Sequence, residues 1–151
     1  MGLEHFKLEE FVITRPKTLP LEIADAIYKY HIIPMSRVRD VLRVEIWPSK
    51  RSCYRPVWWE HQMKRSGNSQ HTLPILDFRP EHGACDWTFE DFDKNLPTFL
   101  ELVRDLTDYS RVAVYHDRKF CHCDYMNPDN NRQLYAYNAD IGNWKRDGAL
   151  V

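Results

Sequence analysis

Seven histidines and a scatter of carboxylates carry the chemistry open to this chain, and three short segments concentrate it. The first is Ser69-Gln70-His71-Thr72. The second is Gly83-Ala84-Cys85-Asp86-Trp87. The third is Phe120-Cys121-His122-Cys123-Asp124. A histidine taken singly is more often a surface or satisfied core residue than a ligand. The second segment sets an aspartate among small and apolar neighbours, where a carboxylate is costly unless paired or metal-bound. Its alternative use, capping the next helix, falls to Thr88 instead. If the third segment is a strand, His122 and Asp124 share one face while Cys121 and Cys123 enter the core. One histidine, one aspartate and one histidine suit a zinc ion with a fourth position open to water. No HExxH is present to fix such a site by spacing. The rival is a structural zinc on Cys121, Cys123 and a distant third thiol. It needs both cysteines on one face and has no second Cys pair to support it.

The elements that must position these segments are read from periodicity and breakers. Residues 21–32 predict a helix, with Leu21, Ala24, Ile27 and Tyr28 on one face, Pro20 at its start and Pro34 breaking it. Residues 35–41 predict a further helical turn or two. Leu42, Val44 and Ile46 alternate with polar neighbours as a half-buried strand ended by Pro48. Residues 51–55 are short and extended, Pro56 opens a helix over 57–64, and Ser66-Gly67-Asn68 ends it. Residues 73–82 predict a loop. A strand at 83–87 precedes a helix capped by Thr88, running to about Asp105 with a break at Pro97. Strands at 111–115 and 119–125 form a hairpin around His116-Asp117-Arg118. A turn at 127–131, a strand at 133–137 and a packed Trp144 complete the chain. The expectation is α+β: a small antiparallel sheet with helices packed on one side, in a single domain over residues 1–151.

The 151 residues suit one domain. A hydrophobic share of 43% with 28% charged residues excludes a disordered tail or a coiled coil. No apolar run approaches the ~18 residues of a membrane helix, so no membrane partner is expected. Lys and Arg number 21 against 22 Asp and Glu, a balance that argues against nucleic acid as a partner. Cys53, Cys85, Cys121 and Cys123 contain no CxxC and are expected as reduced, mostly buried thiols. The first residues, MGLEHFKLEEF, lack an apolar signal segment, so synthesis in the cytoplasm without a signal peptide is expected. Trp58, Trp59 and Trp87 are candidates either for a groove or for the core.

Four motifs in order resemble the zinc D-Ala-D-Ala carboxypeptidase family, which shares its fold with hedgehog signalling domains and phage endolysin peptidases. They are Ser52-Cys53-Tyr54-Arg55, Ser69-Gln70-His71, Ala84-Cys85-Asp86 and His122-Cys123-Asp124, spread over roughly residues 20 to 125. The resemblance implies a hedgehog-like peptidase fold, with zinc (Zn2+) on His71, Asp86 and His122. It implies Arg55 beside the substrate, a role its planar fork suits chemically. It also implies a proton-transferring group a few residues before the last ligand, where this chain offers His116 and Asp117. His116 is favoured because histidine titrates nearest neutrality. Asp124 is then expected to orient His122 without binding metal. There are two departures: residues 73–82 intervene between His71 and Asp86, and His82 stands where the family has a glycine. That makes His82 a candidate extra ligand or substrate contact.

The function implied is zinc-dependent hydrolysis of peptide bonds in bacterial peptidoglycan. The implied enzyme is a D,D-carboxypeptidase or endopeptidase, phage-encoded and delivered to the cell wall by a phage-type route. A monomer is the expectation, although nothing in the sequence sets the oligomeric state. The alternatives are a zinc-binding domain of the same fold without catalysis and a virion structural or interaction domain.

Overall fold

The computed structural model describes residues 5–13, 19–65, 69–72, 83–125, 132–138, 140 and 142–149. A short 3-10 turn, Leu8–Phe11, leads to α1 (Leu21–Ile27), a π-helical turn (Tyr28–Ile32) and α2 (Ile33–Leu42). Then come β1 (Ile46–Pro48), α3 (Val57–Gln62), β2 (Ala84–Phe89) and α4 (Phe92–Leu106). The strands β3 (Arg111–Tyr115), β4 (Phe120–Asp124), β5 (Gln133–Asn138) and β6 (Asn143–Ala149) follow. The predicted loop at 73–82, the Ser-Gly-Asn helix end at 66–68 and the turn at 127–131 lie outside the described residues, as does His82.

Pro34 does not break the first helix. It has no N–H for the Tyr30 carbonyl four residues back, and its ring crowds that carbonyl. The helix widens into the π turn there, and the Tyr30 carbonyl accepts the Tyr125 hydroxyl at 2.5 Å. Helical structure therefore continues to Leu42, and Arg43 stops it in a left-handed conformation (φ 60°). The strand expected from Leu42 shrinks to Ile46–Pro48 for this reason. Pro97 is likewise carried inside α4, on its exposed face. Thr88 is not the cap of α4. It belongs to β2 and donates its hydroxyl to the Lys119 carbonyl at 2.7 Å, while Asp91 (φ 46°) precedes the helix.

The sheet has six strands in the order β1-β2-β4-β3-β5-β6. It is mixed, which corrects the antiparallel expectation: β5 runs parallel to β3. Both edges of β4 are already taken, by β2 and β3, so the chain leaving Asp124 cannot fold back beside it. It emerges next to the start of β3 and adds to the free edge in the same direction. Arg132 anchors this crossing, donating to the carbonyls of Tyr109 (2.7 Å), Thr107 (3.1 Å) and Val103 (3.2 Å) at the end of α4.

Strand alternation gives the sheet two unlike faces. Cys85, Trp87, Phe89, Val112, Val114, Cys121 and Cys123 are buried together with residues of α1, the π turn, α2 and α4 in one core. Phe89 stacks on Phe99 at 4.3 Å, and Trp87 meets Phe6 and Phe11 edge-on or tilted. The opposite face carries Asp86, His122, Asp124, Arg111 and Tyr115. α3 lies beside this second face, since Trp59 and Asp86 line one cavity. The helices are thus not all gathered on one side.

Candidate metal centre

Asp86 and His122 are register partners on the antiparallel strands β2 and β4, so their side chains rise from one face next to each other. His71 comes from the 3-10 turn Gln70–Thr72. That turn is tied down by the Arg55 N–H to the His71 carbonyl (2.9 Å) and the His71 N–H to Ser69 Oγ (3.2 Å). His71, Asp86 and His122 are all buried. His71 Nε2 lies 3.1 Å from His122 Nδ1 and 3.3 Å from Asp86 Oδ1, and His122 Nδ1 lies 2.9 Å from Asp86 Oδ1. Ligands about 2.0–2.1 Å from a tetrahedral ion stand about 3.3 Å apart, so this triangle has nearly the size a divalent metal requires. Among the described residues, this is the group of three or more His, Cys, Asp or Glu whose donor atoms lie within 4.8 Å of one another.

The atoms turned away from the triangle are already engaged. His71 Nδ1–H donates to the Cys53 carbonyl at 3.0 Å, which leaves its Nε2 lone pair facing inward. His122 Nε2–H donates to Asp124 Oδ2 at 2.8 Å, which leaves Nδ1 facing inward. Asp86 Oδ2 accepts Ser52 Oγ–H at 2.8 Å and Arg55 Nη2–H at 3.3 Å, which leaves Oδ1. Asp124 is held in turn by Arg111, whose Nη2 is 2.6 Å from Oδ2 and whose Nε is 3.2 Å from Oδ1. Such outer partners fix ring orientation and raise ligand basicity at metal sites.

Electrostatics follow from this geometry. Burial works against a charged Asp86, but His71 and His122 outweigh it and hold the carboxyl far below its usual range. Burial also opposes a charged His122, yet its hydrogen bonds to Asp124 and Asp86 push it up to about 9. His71 moves the other way: burial lowers it, against the pull of Asp86. Asp124 stays ionised, lowered to about 2 because His122 and Arg111 override its burial.

Ser52 reaches Asp86 from a tight turn. Lys50 (φ 51°) and Arg51 (φ 57°) are both left-handed, a conformation costing about 1–3 kcal/mol per residue where no glycine relieves it. Hydrogen bonds from Ser52 N–H to the Ser49 carbonyl (2.9 Å) and from Asp86 N–H to the Ser52 carbonyl (2.8 Å) hold it.

The triangle opens into a cavity of about 250 Å³, walled also by Arg55, Arg65, Ser69, Tyr115, Arg118, Phe120 and Trp144. A neighbouring cavity of about 290 Å³ shares Arg55, Arg65, Asp86, Arg118 and Phe120 with it and adds Lys50, Ser52 and Trp59. The two form one groove with the His71, Asp86 and His122 triangle at one end.

The structure brings His71, Asp86, His122, Asp124 and Arg55 together. It places His116 and Asp117 on the exposed turn between β3 and β4 and not among the residues lining the groove; Arg118 of that turn does line it. Cys121 and Cys123 are buried in the core, away from the triangle. Trp87 belongs to the core, Trp58 is exposed and Trp59 lines the groove. Sequence reasoning missed Arg111, Tyr115 and Trp144. Strand alternation in β3 could have found the first two, which share the face of Ala113, the register partner of His122. Trp144 lies on β6, a polar segment with no alternation to mark it. Its ring sits 5.0 Å from that of His122, and its N–H donates to Tyr115 Oη at 2.7 Å.

Comparison with known proteins finds no matching family model, no matching curated protein and no matching solved structure. Fold and site together define an α+β protein with a buried His-Asp-His cluster suited to a divalent metal ion. The likeness to the hedgehog-like peptidases is carried by the four sequence motifs alone.

Proposed function

We propose that this chain is a zinc-dependent peptidase acting on the peptides of bacterial peptidoglycan. The observation that carries the metal part is the triangle itself: three buried donor atoms 2.9–3.3 Å apart, each aimed inward because its side chain's other polar atom is engaged elsewhere. Nitrogen and carboxylate donors in a set of three are the pattern of catalytic zinc, which keeps one position open. Bound there, zinc would supply a Lewis acid and an acidified water for hydrolysis. The peptide substrate is taken from the motif resemblance.

The protein's own groups have separable tasks. Asp124 and the Cys53 carbonyl hold the two imidazoles in one tautomer each. Ser52 and Arg55 hold Asp86 Oδ2 and so orient the carboxylate, which the two imidazoles keep ionised. The groove admits a chain to the open side of the triangle. Proton transfer is assigned to His116 or Asp117, which share the turn of the groove-lining Arg118. One observation favours the second reading, a zinc-binding domain without catalysis: neither His116 nor Asp117 lines the groove.

Zinc content of protein purified without chelator, in wild type and Asp86→Ala, tests the centre. About one zinc per chain, lost in the variant, is expected. A wild type that stays metal-free in added zinc overturns the proposal. Muropeptide cleavage that disappears when His116 and Asp117 are both replaced by Ala separates the enzyme from the binding domain.

A further inference from the structure

The groove beside the triangle has an excess of positive charge that the metal site does not use. Its walls carry Arg55, Arg65, Arg118 and Lys50 against Asp86, which is committed to the triangle, and the buried Glu60 behind them, 3.6 Å from Arg55 and 3.7 Å from Arg65. The whole chain has a net charge of -1, so this excess is local. Arg55 is largely engaged: its Nε and Nη2 donate to Ser52 Oγ (3.2 and 2.7 Å), and Nη2 also reaches Asp86.

Arg65 and Arg118 differ from Arg55. Arg65 is half-exposed; buried Glu60 faces it at 3.7 Å, and its guanidinium lies 5.4 Å over the Trp59 ring. The Glu60 oxygens accept no hydrogen bond among the described residues, so Glu60 holds Arg65 by charge and leaves its N–H donors unspent. Arg118 is exposed and lies over two rings, Tyr115 at 5.6 Å and Tyr137 at 5.1 Å, with no acidic partner among the described residues. Two guanidiniums are thus set on aromatic faces lining one groove, with no side-chain hydrogen bond from either among the described residues. A planar fork of N–H groups matches a planar carboxylate through two parallel bonds, and stacking lowers the ordering cost of binding.

We propose that Arg65 and Arg118 form an anion subsite which selects peptides bearing a free carboxylate next to the segment held at the metal. As a statement about substrate it rests on the peptidase reading; as a binding site it stands apart from catalysis. Arg55 is then a positioning residue for Asp86, and the selection of acidic substrates falls to the other two arginines.

The test uses two fluorescent peptides, dansyl-Ala-Ala-Glu with its carboxylates free and dansyl-Ala-Ala-Gln as the C-terminal amide. Binding is followed by anisotropy on zinc-loaded and chelator-treated wild type, on Arg65→Gln/Arg118→Gln, and on Lys94→Gln/Arg104→Gln, which removes the same charge from α4. Wild type is expected to prefer the acidic peptide by about tenfold or more, with or without zinc. That preference should vanish in the groove variant and persist in the α4 variant. Equal affinity for both peptides in wild type, or a preference that survives in the groove variant, overturns the subsite. Loss in both variants shows a general charge effect and also overturns it. Muropeptide cleavage is scored separately, so a binding preference without hydrolysis would remove the peptidase reading and keep the subsite.

Discussion

His71 and His122 meet nitrogen to nitrogen, Nε2 to Nδ1, 3.1 Å apart in a buried site. Two lone pairs cannot face each other at that distance without a cation between them, either a proton or a metal ion. The opposed shifts of the two rings say where the proton sits in the absence of metal: on His122, pushed up to about 9, with His71 lowered and neutral.

The sign of the pH dependence follows. A raised native pKa gives the zinc-free fold stability that is complete below the usual histidine value near 6.5 and is lost as pH rises through about 9. The amount is about 3–4 kcal/mol at most. Zinc needs the same nitrogen without its proton, so zinc affinity should rise with pH over this window, by up to about tenfold per unit. Urea denaturation of chelator-treated protein at pH 6, 7.5 and 9 checks the first, and competition with a chromogenic chelator checks the second. Flat stability across that range would show that His122 does not hold the proton.

Asp124→Asn keeps the shape of the side chain and removes the charge that orients His122 and pairs with Arg111. The variant is expected to fold and to bind zinc about 10–100-fold more weakly. Chelator competition measures this directly. A change smaller than threefold would mean that the His122–Asp124 contact does not support the ligand.

All four cysteines are free and buried, and burial pushes Cys85, Cys121 and Cys123 well above the ordinary thiol range. Reaction needs the thiolate and access to it. Native protein should therefore leave an aromatic disulfide reagent unreacted, and all four thiols should react in denaturant. A fast-reacting native thiol would contradict the core described for β2 and β4.

The parts of the site legible in the sequence are those set by local rules. Alternation along residues 120–124 separates His122 from the flanking cysteines, and the hairpin of β3 and β4 follows from two β-rich runs near a polar turn. Pro20 and Pro56 mark the starts of α1 and α3. What was not legible depends on partners far along the chain. The parallel placement of β5 follows from β4 having no free edge, and β6 is a strand because β5 pairs with it. The π turn arises from Pro34 meeting a helix that packing continues on both sides, where local propensity alone reads a break.

The register between β2 and β4 also acts as a chemical sorter. Cys85, Cys121 and Cys123 lie one residue from Asp86 and His122, so the pleat alone keeps soft sulfur donors from the face that presents nitrogen and oxygen. A slip of one residue would turn His122 and Asp124 inward and bring thiols to the groove. A cluster of nitrogen and oxygen donors would give way to one suited to thiophilic ions such as Cu(I), and vulnerable to oxidation. The donor set offered to a metal ion is thus decided by strand pairing as much as by the residue types themselves.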